Sequence, residues 1–144
     1  MNLTHETSFA VFPGDCNYHY PMVFGGKMLA EMDRCAATTI RRFLYDSPTG
    51  AKYALTVGVN NMTFHKGAEV GDLIFLCGTI IKVGTKAIVC KVVAEAEKVI
   101  NSISQGLTGK VGDVVRERMA EGEFAFCAYD MEQKKSMAHG MELK

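Results

Sequence analysis

FGGKMLAEMDRCAATTIRRF, residues 24 to 43, is the one stretch of the chain with a sustained helical period. At about 100° per residue from Gly25, Met28, Leu29, Met32, Ala36, Ile40 and Phe43 gather into one apolar stripe. Lys27, Glu31, Arg34, Thr38, Arg41 and Arg42 fill the opposite arc. The spacing predicts one amphipathic helix, running to about Leu44. Asp46-Ser47-Pro48-Thr49-Gly50 ends it with turn formers.

One residue breaks the division. Asp33 falls on the flank of the apolar side, one turn from Leu29 and one from Ala37. A carboxylate there loses hydration and must be paired, hydrogen-bonded or protonated. Ala36 and Ala37 leave space beside it, which makes it a functional-site candidate. The plainer reading is a side chain that reaches solvent or meets a nearby Arg. The helix start adds a second candidate. Gly25-Gly26 bares backbone N–H groups that can bind an anion or polarise a carbonyl oxygen. A simple loop-to-helix joint accounts for the same pair.

Away from the helix the period changes to two. Toward the N-terminus, Thr7 to Phe12 reads as a short strand ended by Pro13-Gly14, and Asp15 to Met22 as a loop. Beyond the helix, Leu55, Val57 and Val59 alternate with Thr56, Gly58 and Asn60 from Tyr53 onward. Lys66-Gly67 and Gly71-Asp72 mark turns. Leu73 to Val83 and Lys86 to Lys98 read as two strands joined at Gly84-Thr85, where a hairpin position with positive φ would call for glycine. Val99 to Gly112 reads as a loop, and Val114 to Tyr129 as a last strand. The pattern is α+β: one strand, one long central helix, then a meander of about four strands. Successive strands with short turns predict antiparallel pairing. To bury its stripe, the helix must be wrapped by a curved sheet of about five strands. Residues 1–130 make a single domain on this reading, and 131–144 a polar, mobile tail.

Composition narrows the function classes. The chain has 144 residues, 16 Lys plus Arg against 16 Asp plus Glu, and a formal net charge of zero. That balance gives no electrostatic reason to expect nucleic acid or an anionic membrane as partner. It also does not oppose self-association. Five Cys (16, 35, 77, 90, 127) show no CxxC spacing and read as reduced, mostly buried thiols. The four His (5, 19, 65, 139) lack metal-ligand spacing, so no metal is expected. Met1 to Glu6 is polar, and no run is long enough to span a bilayer, so a cytoplasmic location is expected.

Several motifs then fall in order. Asp15-Cys16-Asn17, Phe24-Gly25-Gly26 and Met32-Asp33-Arg34-Cys35-Ala36-Ala37 together resemble D-x-N…(F/H)-G-G…M-D-x-x-A-A. That is the signature of hotdog-fold acyl-CoA thioesterases of the YciA and cytosolic acyl-CoA hydrolase type. Met62-Thr63-Phe64 with Val70-Gly71-Asp72, Gly84-Thr85, and Glu123 to Asp130 are similar to the family's later motifs. The resemblance covers nearly the whole chain except the tail. It implies hydrolysis of acyl-CoA to CoA and a carboxylic acid, with coenzyme A part of the substrate and no separate cofactor. It implies Asp33 as general base or nucleophile, Asn17 as the residue placing water or thioester, and Gly25 or Gly26 as oxyanion donor. Phe24, Phe64, Gly84 and Thr85 are the substrate contacts it implies. Asn and Asp of one site come from different subunits in that family, so a homodimer at least is expected, and a trimer of dimers is common among relatives.

The chain departs from the pattern in three places. The loop Tyr18-His19-Tyr20-Pro21-Met22-Val23 is one residue longer and lacks the usual Gly. Lys66-Gly67-Ala68 replaces Pro-Val. The stretch 99–115 is longer than the usual connection and reads as a surface insertion rather than a cover for the acyl end. Two other readings compete. A non-catalytic acyl-CoA binder or scaffold would be expected to lose the helix carboxylate, which is present. A hotdog acyl-carrier dehydratase finds a faint echo in His19-Tyr20-Pro21, but Glu31 lies on the polar arc.

Overall fold

The computed structural model describes residues 1–99 and 110–143. In chain order these form β1 (Thr4–Ala10), α1 (Gly25–Phe43), β2 (Tyr53–Phe64), β3 (Leu73–Val83), β4 (Ala87–Val99), β5 (Val114–Asp130) and the two-residue β6 (Lys135–Ser136). All ladders are antiparallel, in the lateral order β1-β3-β4-β5-β2, with β6 on β5. The helix touches each of the five long strands. A sheet can do this only by curling around it, as the lone apolar stripe requires.

The core is that stripe against the inward rows of the sheet. Met28, Met32, Cys35, Ala36, Ile40 and Phe43 are buried on α1. Ile74, Leu76, Ile88, Val92, Phe124 and Phe126 are buried on β3, β4 and β5. Burial of such a side chain is worth about 1.5–3 kcal/mol each. Of the predicted stripe only Leu29 is half-buried, while Cys35 and Thr39 join the buried face. Thr39 Oγ1 donates to Cys35 O at 2.8 Å. A side chain at Gly78 would meet that hydroxyl at 2.3 Å, so glycine is what lets helix and β3 approach here. All five cysteines are free thiols. Burial raises the Cys35 thiol above its ordinary range and pushes that of Cys90 up to about 12.

Four expectations change. The first strand spans Thr4–Ala10 rather than Thr7 to Phe12, because β3 offers pairing as far as Thr79 and recruits polar residues with no apolar signal. β2 does not continue a meander into β3. β1 occupies that edge of β3, and β2 pairs with β5 at the far side. Gly84 is not among the positive-φ glycines, and a side chain there would meet nothing closer than 3.7 Å, so this hairpin does not require it. β4 reaches Val99, which pairs with Val114. Most of the expected 99–115 insertion, residues 100–109, lies outside the described residues.

The tail, predicted to be mobile, is fastened in the structure. Ser47 Oγ donates to His139 O at 2.6 Å, and Thr49 Oγ1 to Ala138 O at 2.8 Å. His139 is fully buried; its Nε2 donates to Ala87 O at 3.2 Å and its Nδ1 accepts from Met141 N–H at 3.0 Å. The segment straps the β3–β4 hairpin to the chain leaving α1.

Candidate active site

Asp33 lies in the middle of α1, half-buried, on the side turned toward β2. Thr56 Oγ1 donates to Asp33 Oδ1 at 2.9 Å. The strand patterning explains the contact. Ala54 and Thr56 pair with buried Ala128 and Phe126, so they share the inward phase of β2. Leu55 takes the other phase and is 46 % exposed. The register shifts between Thr56 and Gly58, which leaves Val57 unpaired and 65 % exposed, and beyond the shift Val59 pairs with buried Phe124. Thr56 was absent from the sequence-derived candidates because alternation alone places its apolar neighbours inward. The cross-strand register, Thr56 opposite buried Phe126, is the signal that leads to it.

The helix start forms a second cluster. Lys27 and Met28 N–H donate to Phe24 O at 3.1 and 3.3 Å. The N–H groups of Gly25 and Gly26 precede these and have no intrahelical acceptor. Gly26 has a steric reason: the half-exposed Phe24 ring lies across it, 2.6 Å from where a Cβ would sit. A side chain at Gly25 would touch the Phe64 ring at 3.5 Å. Phe64, Gly25 and Met28 line an open cavity of about 310 Å³, bounded also by the 65–68 turn and by Met119 and Ala120 of β5.

The loop carrying Asn17 is pinned to this start. Asn17 N–H donates to Met22 O at 2.8 Å, and Phe24 N–H to Asp15 O at 3.2 Å. Lys27 ties loop to helix, with Nζ 3.0 Å from Glu31 Oε1 and 3.6 Å from Asp15 Oδ1. Its hydrogen bond to Glu31 raises the ammonium above its ordinary value. Asn17 itself is exposed, as are Tyr18, His19 and Tyr20 beyond it.

The structure therefore brings Gly25, Gly26, Phe24 and Phe64 together, with Asn17 on the adjoining loop, and pairs Asp33 with Thr56. Eight residues separate Gly25 from Asp33, about 12 Å along a helix axis. Gly84 and Thr85 sit at the other end of the molecule, under the strap, where His139 N–H donates to Thr85 O at 3.2 Å. Among the described residues no group of His, Cys, Asp and Glu is arranged to hold a metal ion. No helix among the described residues is long and apolar enough to cross a membrane.

The family model for the thioesterase superfamily matches residues 20–101, more than half the chain and the whole of α1. The chain belongs to the thioesterase superfamily. Solved structures share its hotdog fold. A hexameric broad-specificity acyl-coenzyme A thioesterase aligns at TM-score 0.74 and 26 % identity, over 94 % of this chain and 80 % of its own. An acyl-CoA hydrolase from Staphylococcus aureus, solved with butyryl coenzyme A and coenzyme A, aligns at 0.73 and 24 % over 94 % and 70 %. A hexameric hotdog-fold thioesterase of Campylobacter jejuni aligns at 0.73 and 19 % over 94 % and 95 %. No curated protein matches the chain.

Proposed function

We propose that the protein hydrolyses acyl-CoA thioesters, at a site built from two copies of the chain. The observation that carries this is Asp33, the one carboxylate on the apolar flank of α1, held by the Thr56 hydroxyl at 2.9 Å. Hydrolysis needs an attacking water or nucleophile and a stabiliser for the oxyanion. Asp33 supplies the first, as general base or as nucleophile. The N–H groups of Gly25 and Gly26 supply the second, with Asn17 placing the thioester or the water. As the C–S bond breaks, the sulfur leaves as the thiolate of CoA and takes up a proton. The similarity to acyl-CoA thioesterases supports this substrate class.

Helix geometry supports the second copy. An attacking atom and an oxyanion donor must both lie about 3 Å from the reacting group. Gly25 and Asp33 of one chain are about 12 Å apart along α1. β2 offers the means of pairing: it is an edge strand whose other side has no partner strand among the described residues, and it exposes Leu55, Val57 and Val59. Two-fold pairing of two β2 edges runs the two helices antiparallel. Asp33 of one chain then approaches Gly25 of the partner subunit. An open apolar edge of this length is otherwise an aggregation hazard. Hexamers among the similar structures fit further assembly of such dimers.

The test is hydrolysis of butyryl-CoA by wild type and Asp33→Asn. Loss of on the order of 10²–10⁴-fold in kcat, with unchanged folding, is expected. Full activity in Asp33→Asn would remove the assignment. Acyl-CoA bound tightly by wild type but never turned over would favour a non-catalytic binder instead.

A further inference from the structure

We infer that the cavity beside Gly25 receives the acyl group, and that its floor at Met119 and Ala120 limits the protein to short and medium chains. This rests on the acyl-CoA reading and adds the chain length to it. Gly25, whose N–H has no intrahelical acceptor and is offered to the thioester oxygen, lines the cavity. Two substituents leave that carbonyl carbon: the sulfur with the body of CoA, and the acyl chain. At about 310 Å³ the space lies at the small end of ligand cavities, and Val23, Met28, Phe64, Ala68, Met119 and Ala120 supply its apolar wall. The acyl chain is the substituent it suits.

The floor is fixed. Register between β4 and β5 shifts after Ala94, so Met119 and Ala120 are consecutive and both buried. The bulged carbonyl of Met119 is held by His65 N–H at 2.7 Å and Lys66 N–H at 3.2 Å. The turn that bounds the cavity is thereby bolted to its floor. Lys66 pairs with Glu117, so the lysine of the rim is answered by a carboxylate, and His65 Nε2 stands 3.8 Å from Glu121 Oε1. Nothing there singles out an acyl chain with a charged end. An apolar cavity of about 150 Å³ holds a benzene ring, so about 310 Å³ accommodates roughly ten carbons.

The experiment measures kcat/KM for acetyl-, butyryl-, octanoyl-, dodecanoyl- and palmitoyl-CoA. Wild type is compared with Ala120→Val, Met119→Ala and Phe64→Leu. The wild-type profile is expected to peak between butyryl and octanoyl and to fall on the order of tenfold or more by palmitoyl. Ala120→Val should move the optimum to shorter chains, and Met119→Ala and Phe64→Leu to longer ones. Phe64 is 51 % exposed, so its variant keeps the test open if a floor variant does not fold. Uniform loss at every length would place the pantetheine arm in the cavity and overturn the inference, as would a flat wild-type profile. Hydrolysis of none of the five would overturn the acyl-CoA reading itself, and this inference with it.

Discussion

At the scale of single residues, the hydroxyl of Thr56 decides what Asp33 presents. Its hydrogen bond engages Oδ1 and leaves Oδ2 without a part in that contact. A hydrogen bond to a charged group is worth about 1.5–3 kcal/mol, so its loss should cost about 10- to 100-fold in kcat. Thr56→Val should show that drop in steady-state hydrolysis with KM little changed, and Thr56→Ser should recover most of it. Equal activity in Thr56→Val would mean that the contact is incidental. The carboxylate was legible in the sequence because a helical wheel has one apolar side and Asp33 lies on its flank. Its partner was not, because the two residues are 23 apart and a strand has two faces. Only the pairing of β2 with β5 shows that Thr56, itself exposed, shares a phase with Ala54. Asn17 and Gly25 were legible as motif positions, yet nothing in a linear pattern says which surfaces they must meet.

Among the elements, those with a strong period were read closely and those held by backbone groups were not. α1 ends at Phe43, against an expected end near Leu44, since its stripe, its glycine start and the turn formers after it all agree. The segment after Asp130 carries no period, and polarity alone predicted a loose tail. What fastens it is a set of carbonyls and one imidazole, which composition cannot reveal. Ser47 and Thr49 reach the carbonyls of His139 and Ala138, and buried His139 joins Ala87 to Met141. Removing that ring leaves a void and two unanswered polar groups. His139→Ala should therefore lower stability by about 2–4 kcal/mol in urea unfolding. Ser47→Ala, which removes one hydrogen bond, should cost about 1 kcal/mol. A His139→Ala protein as stable as wild type would show that the strap is held mainly elsewhere. The helix end that carries Gly25 is far from this strap, so kcat of either variant on butyryl-CoA should stay close to wild type.

For the whole molecule the proposed function makes one helix carry two half-sites. Gly25, Gly26 and Asn17 lie at the start of α1, and Asp33 with Thr56 lies about 12 Å along it. A formal charge of zero and a β2 edge that is bare among the described residues leave little to keep two chains apart. In a two-fold dimer each site takes one half from each chain. Asp33→Asn and Asn17→Ala each then disable both sites of their own dimer. When the two inactive variants are unfolded together and refolded at equal amounts, half the dimers are mixed. Each mixed dimer has one site with both defects and one with neither. Butyryl-CoA hydrolysis should therefore return to about a quarter of the wild-type level, as random two-fold assembly requires. Separately refolded controls should stay near zero. If both halves of a site came from one chain, every site in the mixture would carry a defect and no activity would return.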